Sequence, residues 1–418
     1  MSETERDIKL KIADGIYLPI NKELALNLTL CLAWVPLLLT YLRGVYIRLP
    51  FIGEEHIDKA IVITMVIAVL CSLPALINRF CLFDYVFYFL NTFYILSCYV
   101  FFPDNESYLD DFALTCIFQV FIYYFVGRLM DIERMFKVLV FFSTICIFAD
   151  IYYYLILSPQ IKAAEDIMFN DSMNTAYKAL PHVLLLIWST LEKFRIWKAV
   201  VSVFGLMFIL SCGSRGPFLC ITFFCVIYFF FYMYFKGALY VKVGIIATLS
   251  FVIANLNNVL YHITVFLTEH SLSTRILEHY AMGEMGNDTY RSVLREQIET
   301  ALENGDHFMG LGAFGCRNYD VIYAHYLPLD LVSTFGYFTG YLILFLLIAL
   351  IVTALWLSRG TKRQIFIVFM FSISIVKLFL SNTFLLEPYF YMLIGVCMSE
   401  ILNRSQYTKD NTIPSLNH

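Results

Sequence analysis

Long apolar stretches recur along the chain, and they limit its possible folds more than any other feature. A helix that crosses a membrane needs about 20 mostly apolar residues. About twelve stretches approach this length between charges or turn residues: roughly 24–42, 60–77, 82–102, 112–128, 136–157, 177–192, 196–212, 216–235, 238–254, 331–356, 364–381 and 388–402. The sequence therefore predicts an all-α, polytopic integral membrane protein.

Composition excludes other classes of protein. Apolar residues make up 60% of the 418 residues and charged residues 15%, whereas soluble domains average about 45–50% and about 25%. A water-soluble globule could not bury that much apolar surface, so a soluble enzyme and a disordered chain are both excluded. The net charge of −4 argues against a nucleic-acid-binding protein, because polyanions attract basic surfaces.

The distribution of Lys and Arg predicts the orientation of the spans. If the N-terminus is cytoplasmic, the cytoplasmic segments carry 18 Lys and Arg and the short outer segments carry 6. Positive charge beside spans accumulates on the cytoplasmic side of a membrane. We therefore expect both termini in the cytoplasm. The expected parts are a cytoplasmic N-terminal segment (1–23), nine spans (24–254), a large outer loop (255–330), three further spans (331–402) and a cytoplasmic tail (403–418).

Arg215 interrupts the apolar sequence between two predicted spans, within the segment SCGSRGP at 211–217. An arginine at membrane depth costs about 2.5–3.5 kcal/mol on insertion scales, so it usually has a partner or a function. It could extend to the lipid headgroups. The flanking Gly, Ser and Pro instead indicate irregular backbone beside a cavity, because lipid does not tolerate such backbone. We expect Arg215 to contact an anion.

The large outer loop contains a predicted amphipathic helix at 291–304, where apolar residues recur at helical spacing. Loops of this length are uncommon and usually functional. Arg291 and Arg295 lie one turn apart on this helix. Arg295 has Glu299 at i+4 as an expected ion-pair partner, whereas Arg291 has no acidic residue there and is the better candidate for bidentate phosphate binding.

His325 precedes the tenth predicted span and is a candidate proton acceptor, because histidine titrates near neutral pH. By itself it could equally be an interfacial residue. Four other histidines share the loop, and composition does not choose among them: His262, His270, His279 and His307.

Other patterns in the outer segments predict no cofactor and no metal. Residues 310–315 match G-x-G-x-x-G, but they follow a helix rather than a strand, so we expect a tight turn instead of a dinucleotide site. The acidic residues between Asp104 and Asp111 could supply oxygen ligands for a divalent cation, but acidic residues are equally typical of a loop exposed to solvent. Most cysteines lie in apolar runs, and no pair has zinc-site spacing.

Taken together, residues 213–340 resemble the bacterial O-antigen polymerase and O-antigen ligase superfamily. The shared features are a Ser-Arg-Gly entering a span, an Arg opening a loop helix before a G-x-G, and a His followed by a Leu-rich stretch and a Gly. They occur here at 214–216, at Arg291 with Gly310 and Gly312, and at His325 with Gly336. The family often has Asn and Glu where this chain has Tyr326 and Thr334, which weakens the ligase interpretation more than the polymerase one.

The resemblance implies a bacterial inner-membrane glycosyltransferase that acts at the periplasmic face. Its substrates would be undecaprenyl-diphosphate-linked oligosaccharides, as donor and as acceptor, held among membrane lipids. Arg215 and Arg291 would bind the donor diphosphate, and His325 would deprotonate the acceptor hydroxyl. No cofactor is implied. A chain-length regulator and a flippase are the implied protein partners, and nucleic acid is not a partner.

Two alternatives remain at this stage. The first is an O-antigen ligase, which transfers the finished glycan to lipid A core. The second is a flippase or other transporter, which also needs about twelve spans. Transporters usually show paired repeats with broken helices in both halves, whereas this chain concentrates its polar residues in one late outer loop.

Overall fold

The computed structural model describes residues 7–13, 16–21, 81–130, 132–152, 170–212, 214–235, 289–305 and 307–410, with isolated positions between them. The predicted spans 24–42, 60–77 and 238–254 and most of the outer loop before residue 289 lie outside the described residues.

Helices make up almost all of the described chain. Before the outer loop they are α1 (Leu82–Phe101), α2 (Glu106–Leu129), α3 (Ile132–Tyr152), α4 (Asn170–Glu192), α5 (Ile196–Ser211) and α6 (Arg215–Phe235). The later helices are α7 (Thr289–Asn304), α8 (Leu327–Phe335), α9 (Tyr337–Leu357), α10 (Lys362–Ile373), α11 (Ile375–Leu378) and α12 (Pro388–Asp410). Short 3-10 turns occupy Pro103–Asn105, Gly315–Tyr319 and Phe384–Leu386.

Three described helical stretches are long and apolar enough to cross a membrane, judged by length and composition. They are Pro103–Leu129, Met135–Tyr152 and Tyr337–Leu357. Shorter apolar helices cover Ile196–Ser211, Arg215–Phe231 and Pro388–Leu402. Large apolar side chains cover the outer surfaces of α1 and α9, for example Phe89, Phe93, Phe345 and Trp356. Such continuous apolar surface indicates membrane association.

Close contact between α2 and α12 forms one centre of the bundle. Gly127 on α2 lies against the Met392 carbonyl, and Gly395 on α12 lies against the Tyr124 carbonyl, so neither glycine has room for a β-carbon. Small residues allow membrane helices to approach in this way. Helix α4 forms a second centre, packed against α3, α5 and α6, and it continues through Pro181.

Two predicted spans are interrupted. The span expected at 331–356 is divided at Gly336, which has φ of 80° and separates α8 from α9. The Tyr337 amide donates to the His307 carbonyl at 3.0 Å instead of continuing a helix. The span expected at 364–381 ends its regular part at Ile373, and α11 adds only one further turn.

The N-terminal segment forms a β-hairpin, which was not among the elements predicted from the sequence. Strands β1 (Asp7–Ala13) and β2 (Ile16–Asn21) pair antiparallel, with Ile8 opposite Ile20 and Leu10 opposite Leu18. The signal was present in the alternation of apolar residues with lysine over residues 8–12 and in the Asp-Gly at 14–15, a dipeptide typical of two-residue hairpins. The other described elements are helical, as predicted.

Ion pairs mark one end of the bundle: Asp84–Arg128, Glu192–Lys362 and Arg363–Glu400. The opposite end carries α7 and residues 307–335, and we call it the loop end. Residues 311–334 are anchored there by α1 and the turn that follows it. The Asn105 amide donates to the Leu311 and Ala313 carbonyls, and the Tyr94 hydroxyl donates to the Thr334 carbonyl.

Candidate active site

Arg215 lies at the loop end, where α6 begins. Helix α5 ends at Ser211 and α6 begins at Arg215, so the predicted break between two apolar runs is confirmed. The Arg215 side chain is half-buried, and Ser214 before it is buried. The arginine therefore lies within the protein surface at a junction of two helices.

Tyr177 of α4 contacts this junction directly. Its hydroxyl lies against the Cα of Gly216, where no β-carbon would fit. Tyr177 is 8% exposed, and Arg291 of α7 and Tyr323 of the loop are near enough to act on it electrostatically. Tyr177 thus joins α4 to the start of α6, with the start of α7 and the segment before His325 in the same region.

Helix α7 places Arg291 at the loop end, and its apolar side is buried there. The apolar residues that predicted an amphipathic helix are all buried, and the helix extends from Thr289 to Asn304, slightly beyond the expected 291–304. Three of them, Leu294, Ile298 and Leu302, pack against Cys316, Val321, Ala324, Leu329 and Val332. Arg291 lies one turn before Leu294 and is half-buried.

His325 is held in an uncommon backbone conformation. Its φ is 54°, in the left-handed region that few non-glycine residues adopt. Arg295 donates to the His325 carbonyl at 3.1 Å, and the Tyr323 ring lies 4.2 Å from the imidazole, between centroids. The Arg295 guanidinium also lies over the Tyr326 ring at 5.3 Å. Arg295, for which the sequence predicts an ion pair with Glu299, thus bonds directly to the backbone of His325.

The three residues predicted from sequence lie in one region of the loop end, which we call the cluster. Arg215 is adjacent to Gly216, which contacts Tyr177, and Arg291 is near enough to this phenol to act on it electrostatically. His325 contacts Tyr323, and its carbonyl accepts from Arg295, one turn after Arg291. Four separate parts of the chain therefore meet at the loop end.

An ion pair that was not predicted from the sequence lies beside Tyr177. Lys377 Nζ lies 5.3 Å from the centre of the Tyr177 ring and 2.5 Å from Glu387 Oε2. Asn382 Nδ2 donates to the same oxygen at 2.8 Å. The available signal was a lysine within a predicted span, since charges inside spans usually face a cavity or a partner.

The glycines at 310 and 312 form the expected tight turn. Both have positive φ, 73° and 76°. Gly310 lies against the Gly336 amide and the Ser333 carbonyl, and Gly312 lies against the Phe102 ring. The turn holds the loop against the break between α8 and α9. Cys316 follows within this packed loop, where burial raises the pKa of its thiol to about 12, so the thiol stays protonated at neutral pH.

The acidic residues at 104–111 line the start of α2. The neutral Asn105, which lies between two of them, is buried, and Asp110 accepts a hydrogen bond from the Tyr99 hydroxyl at 3.1 Å. Within the described ranges, no group of three or more His, Cys, Asp or Glu is placed to hold a metal ion. Arg317 stacks against the rings of Tyr108, Phe112 and Phe314, and Arg275 lies outside the described residues.

No protein-family model, no curated protein and no solved structure matches the chain.

Proposed function

We propose that the chain is a membrane glycosyltransferase that polymerises undecaprenyl-diphosphate-linked oligosaccharide repeat units into a surface polysaccharide, an O-antigen or a capsule. In this proposal the protein resides in a bacterial inner membrane with both termini cytoplasmic, and the site faces the periplasm. The observation that carries the proposal is that Arg215, Arg291 and His325 all lie at the loop end, Arg215 beside the Gly216–Tyr177 contact and His325 bonded through its carbonyl to Arg295, one turn from Arg291. The resemblance of residues 213–340 to the O-antigen polymerase and ligase superfamily supports the same conclusion.

Arg215 and Arg291 bind the donor diphosphate in the proposed reaction. Guanidinium groups bind phosphate oxygens bidentately and remain charged at any physiological pH. Negative charge develops on the diphosphate as the bond between the anomeric carbon and the phosphate oxygen breaks. Fixed cations stabilise that charge, so the reaction needs no metal ion.

His325 is the proposed base. The acceptor hydroxyl oxygen attacks the anomeric carbon while His325 takes the hydroxyl proton, and the diphosphate leaves with the electron pair of the broken bond. Attack opposite the leaving group inverts the anomeric carbon. A positioned base typically contributes about 10²–10⁴-fold in rate. The bond from Arg295 to the His325 carbonyl supports such positioning.

A lipid-linked substrate accounts for the membrane association of the helices. The donor lipid would lie against the exposed apolar surfaces of helices such as α1 and α9, and its diphosphate would reach the cluster at the loop end. Transfer in the membrane would also place the protein beside the flippase that delivers donors and beside a regulator of chain length.

The test is an in vitro polymerisation assay with the purified protein in liposomes. Lipid-linked repeat units from the producing cells are added, and products are resolved as a ladder on a gel. We expect a ladder that persists in EDTA. Arg215→Lys and Arg291→Lys should each reduce it at least tenfold, because a lysine cannot bind bidentately. Arg359→Lys is the matched control, since Arg359 stacks on Trp356 outside the site.

Three results would reject the proposal or redirect it. Loss of the ladder in EDTA with recovery in Mg²⁺ would indicate that carboxylates and a bound metal ion, rather than the two arginines, carry the reaction. Transfer only to added lipid A core would assign a ligase. Movement of the lipid-linked unit across the bilayer without any new glycosidic bond would assign a transporter.

A further inference from the structure

Glu387 is a carboxylate with an unused, fully buried oxygen. Its side chain is 0% exposed, and Oε2 accepts hydrogen bonds from Lys377 and Asn382. The other oxygen, Oε1, has no hydrogen-bond partner within the part of the chain that the structure describes. Leaving a buried polar atom unpaired is unfavourable, so such an atom calls for a specific explanation, such as a bound water or a ligand.

The position of Glu387 relates it to the cluster around Tyr177. Lys377, which pairs with Glu387 Oε2 at 2.5 Å, has its Nζ 5.3 Å from the centre of the Tyr177 ring. The Tyr177 hydroxyl in turn contacts Gly216, the residue after Arg215. Glu387 therefore lies beside the phenol that packs against the start of α6.

The backbone around Glu387 is fixed by local bonds. Asn382 has φ of 74°, and the Thr383 side chain caps the turn Phe384–Leu386 by accepting from the Leu385 amide. The Phe384 amide donates to Asp330 Oδ2 at 3.0 Å, which ties this segment to α8. A carboxylate held on both sides can present an acceptor at a defined place, and Lys377 balances its charge.

We propose that Glu387 Oε1 accepts a hydrogen bond from a hydroxyl of the donor sugar that is bonded directly to the diphosphate. This inference rests on the proposed function. When Arg215 and Arg291 hold the diphosphate, the first sugar is the part of the donor that lies nearest to them. A hydrogen bond from a hydroxyl to a carboxylate is about twice as strong as one between neutral groups. Glu387 would thereby recognise the sugar, and the two arginines would recognise the diphosphate.

The experiment compares two probes on the full-length protein in lipid nanodiscs. One is undecaprenyl diphosphate without sugar, and the other is the lipid-linked repeat unit extracted from producing cells. We expect the wild type to bind the sugar-bearing lipid at least about tenfold more tightly than the plain lipid. Glu387→Gln should remove most of that difference without weakening the binding of the plain diphosphate. Asp84→Asn is the matched control, since it alters a buried ion pair at the opposite end of the bundle.

A second variant keeps the test valid if Glu387→Gln fails to fold. The double variant Lys377→Gln with Glu387→Gln leaves no uncompensated charge in the interior and should show the same loss of sugar discrimination. Unchanged discrimination in either folded variant would overturn the inference and show that Oε1 is hydrogen-bonded by water only, while the proposed function would stand. A wild type that binds neither probe would overturn the proposed function, and this inference with it.

Discussion

The hydroxyl of Tyr177 lies against the Cα of Gly216, in the place where any other residue at position 216 would carry its β-carbon. Glycine at this position therefore lets α4 and α6 approach at the point where Arg215 enters the cluster. The contact depends on the absence of a side chain, in contrast to the turn glycines of the loop, which are needed for their positive φ.

Gly216→Ala should separate Tyr177 from α6 and lower polymerising activity at least tenfold. A displacement of about 1 Å in a group that positions the substrate can lower the reaction rate about 10²-fold. Adding Tyr177→Phe removes the oxygen that clashes and should restore part of the activity. The measurement is the initial rate of ladder formation for both single variants and the double variant. Gly205→Ala provides a control, because Gly205 contacts Val183 within the α4–α5 interface. Additive effects of the two substitutions would contradict this prediction.

His325→Ala should lower the catalytic rate by about 10²–10⁴-fold with donor binding retained, because the base acts on the acceptor. Arg295→Ala should cause a smaller loss, since it removes the hydrogen bond to the His325 carbonyl and the contact with the Tyr326 ring but leaves the imidazole in place. Arg295→Lys should recover part of this loss, because an ammonium can donate to the same carbonyl. Rates and donor affinities measured on the same preparations check the prediction. Normal rates in His325→Ala would exclude His325 as the base.

The parts of this site that could be predicted from sequence are those with local signals. The spacing of apolar residues predicts a helix at 291–304, and α7 begins two residues earlier and ends at the predicted residue. The Gly-Ser-Arg-Gly-Pro segment gave the break before α6. Both signals come from neighbouring residues along the chain, where helix periodicity and turn chemistry act directly.

The remaining parts depend on contacts between distant segments. Tyr177 is one of 29 tyrosines, and nothing in its local sequence distinguishes it. Its predicted span, 177–192, is part of a longer, well-buried helix, Asn170–Glu192, because Lys178 interrupts the apolar run without interrupting the helix. The pairing of Lys377 with Glu387 depends on the turn between α11 and α12. The residues of this turn, Phe384–Leu386, are all apolar, so the sequence gives no signal for it.

The Asp84–Arg128 pair should stabilise the fold without affecting the site. Arg128 donates through Nε and one terminal nitrogen to the two Asp84 oxygens at 2.8 and 3.0 Å, and Tyr124 also donates to Asp84. Both side chains are buried, so Arg128→Ala leaves a buried charge and should cost about 3–5 kcal/mol. Unfolding in detergent measures this loss, and Asp84→Ala with Arg128→Ala should cost less than the sum of the single variants. A loss below about 1 kcal/mol for Arg128→Ala would contradict the prediction.

The orientation of the bundle can be tested with reporter fusions. The predicted cytoplasmic segments carry 18 Lys and Arg against 6 in the short outer segments, so the loop end should face the periplasm. Alkaline phosphatase fused after Glu303 should be active, and a fluorescent protein fused after Lys362 should fluoresce. Lys362 lies beside Glu192 at the end opposite to the loop end, so the two fusions report opposite ends of α9. The reverse pattern would contradict the orientation and the periplasmic site together.

Asp330 should make stability depend on pH in a defined range. It lies in α8, before the span formed by α9, and burial raises the pKa of its carboxyl from 3.8 to about 6. Between these values the folded protein retains a proton that the unfolded chain has lost. The contribution of Asp330 is therefore fully present below pH 3.8, falls as the pH rises towards 6, and is absent above it. The difference of about two pH units corresponds to about 3 kcal/mol.

Asp330→Asn keeps an acceptor for the Phe384 amide but does not titrate. The measurement is the unfolding free energy of the wild type relative to Asp330→Asn, taken in detergent from pH 4 to pH 7. This difference should fall up to about pH 6 and then remain constant. A difference that rises with pH would show instead that the carboxylate is stabilised in the folded protein.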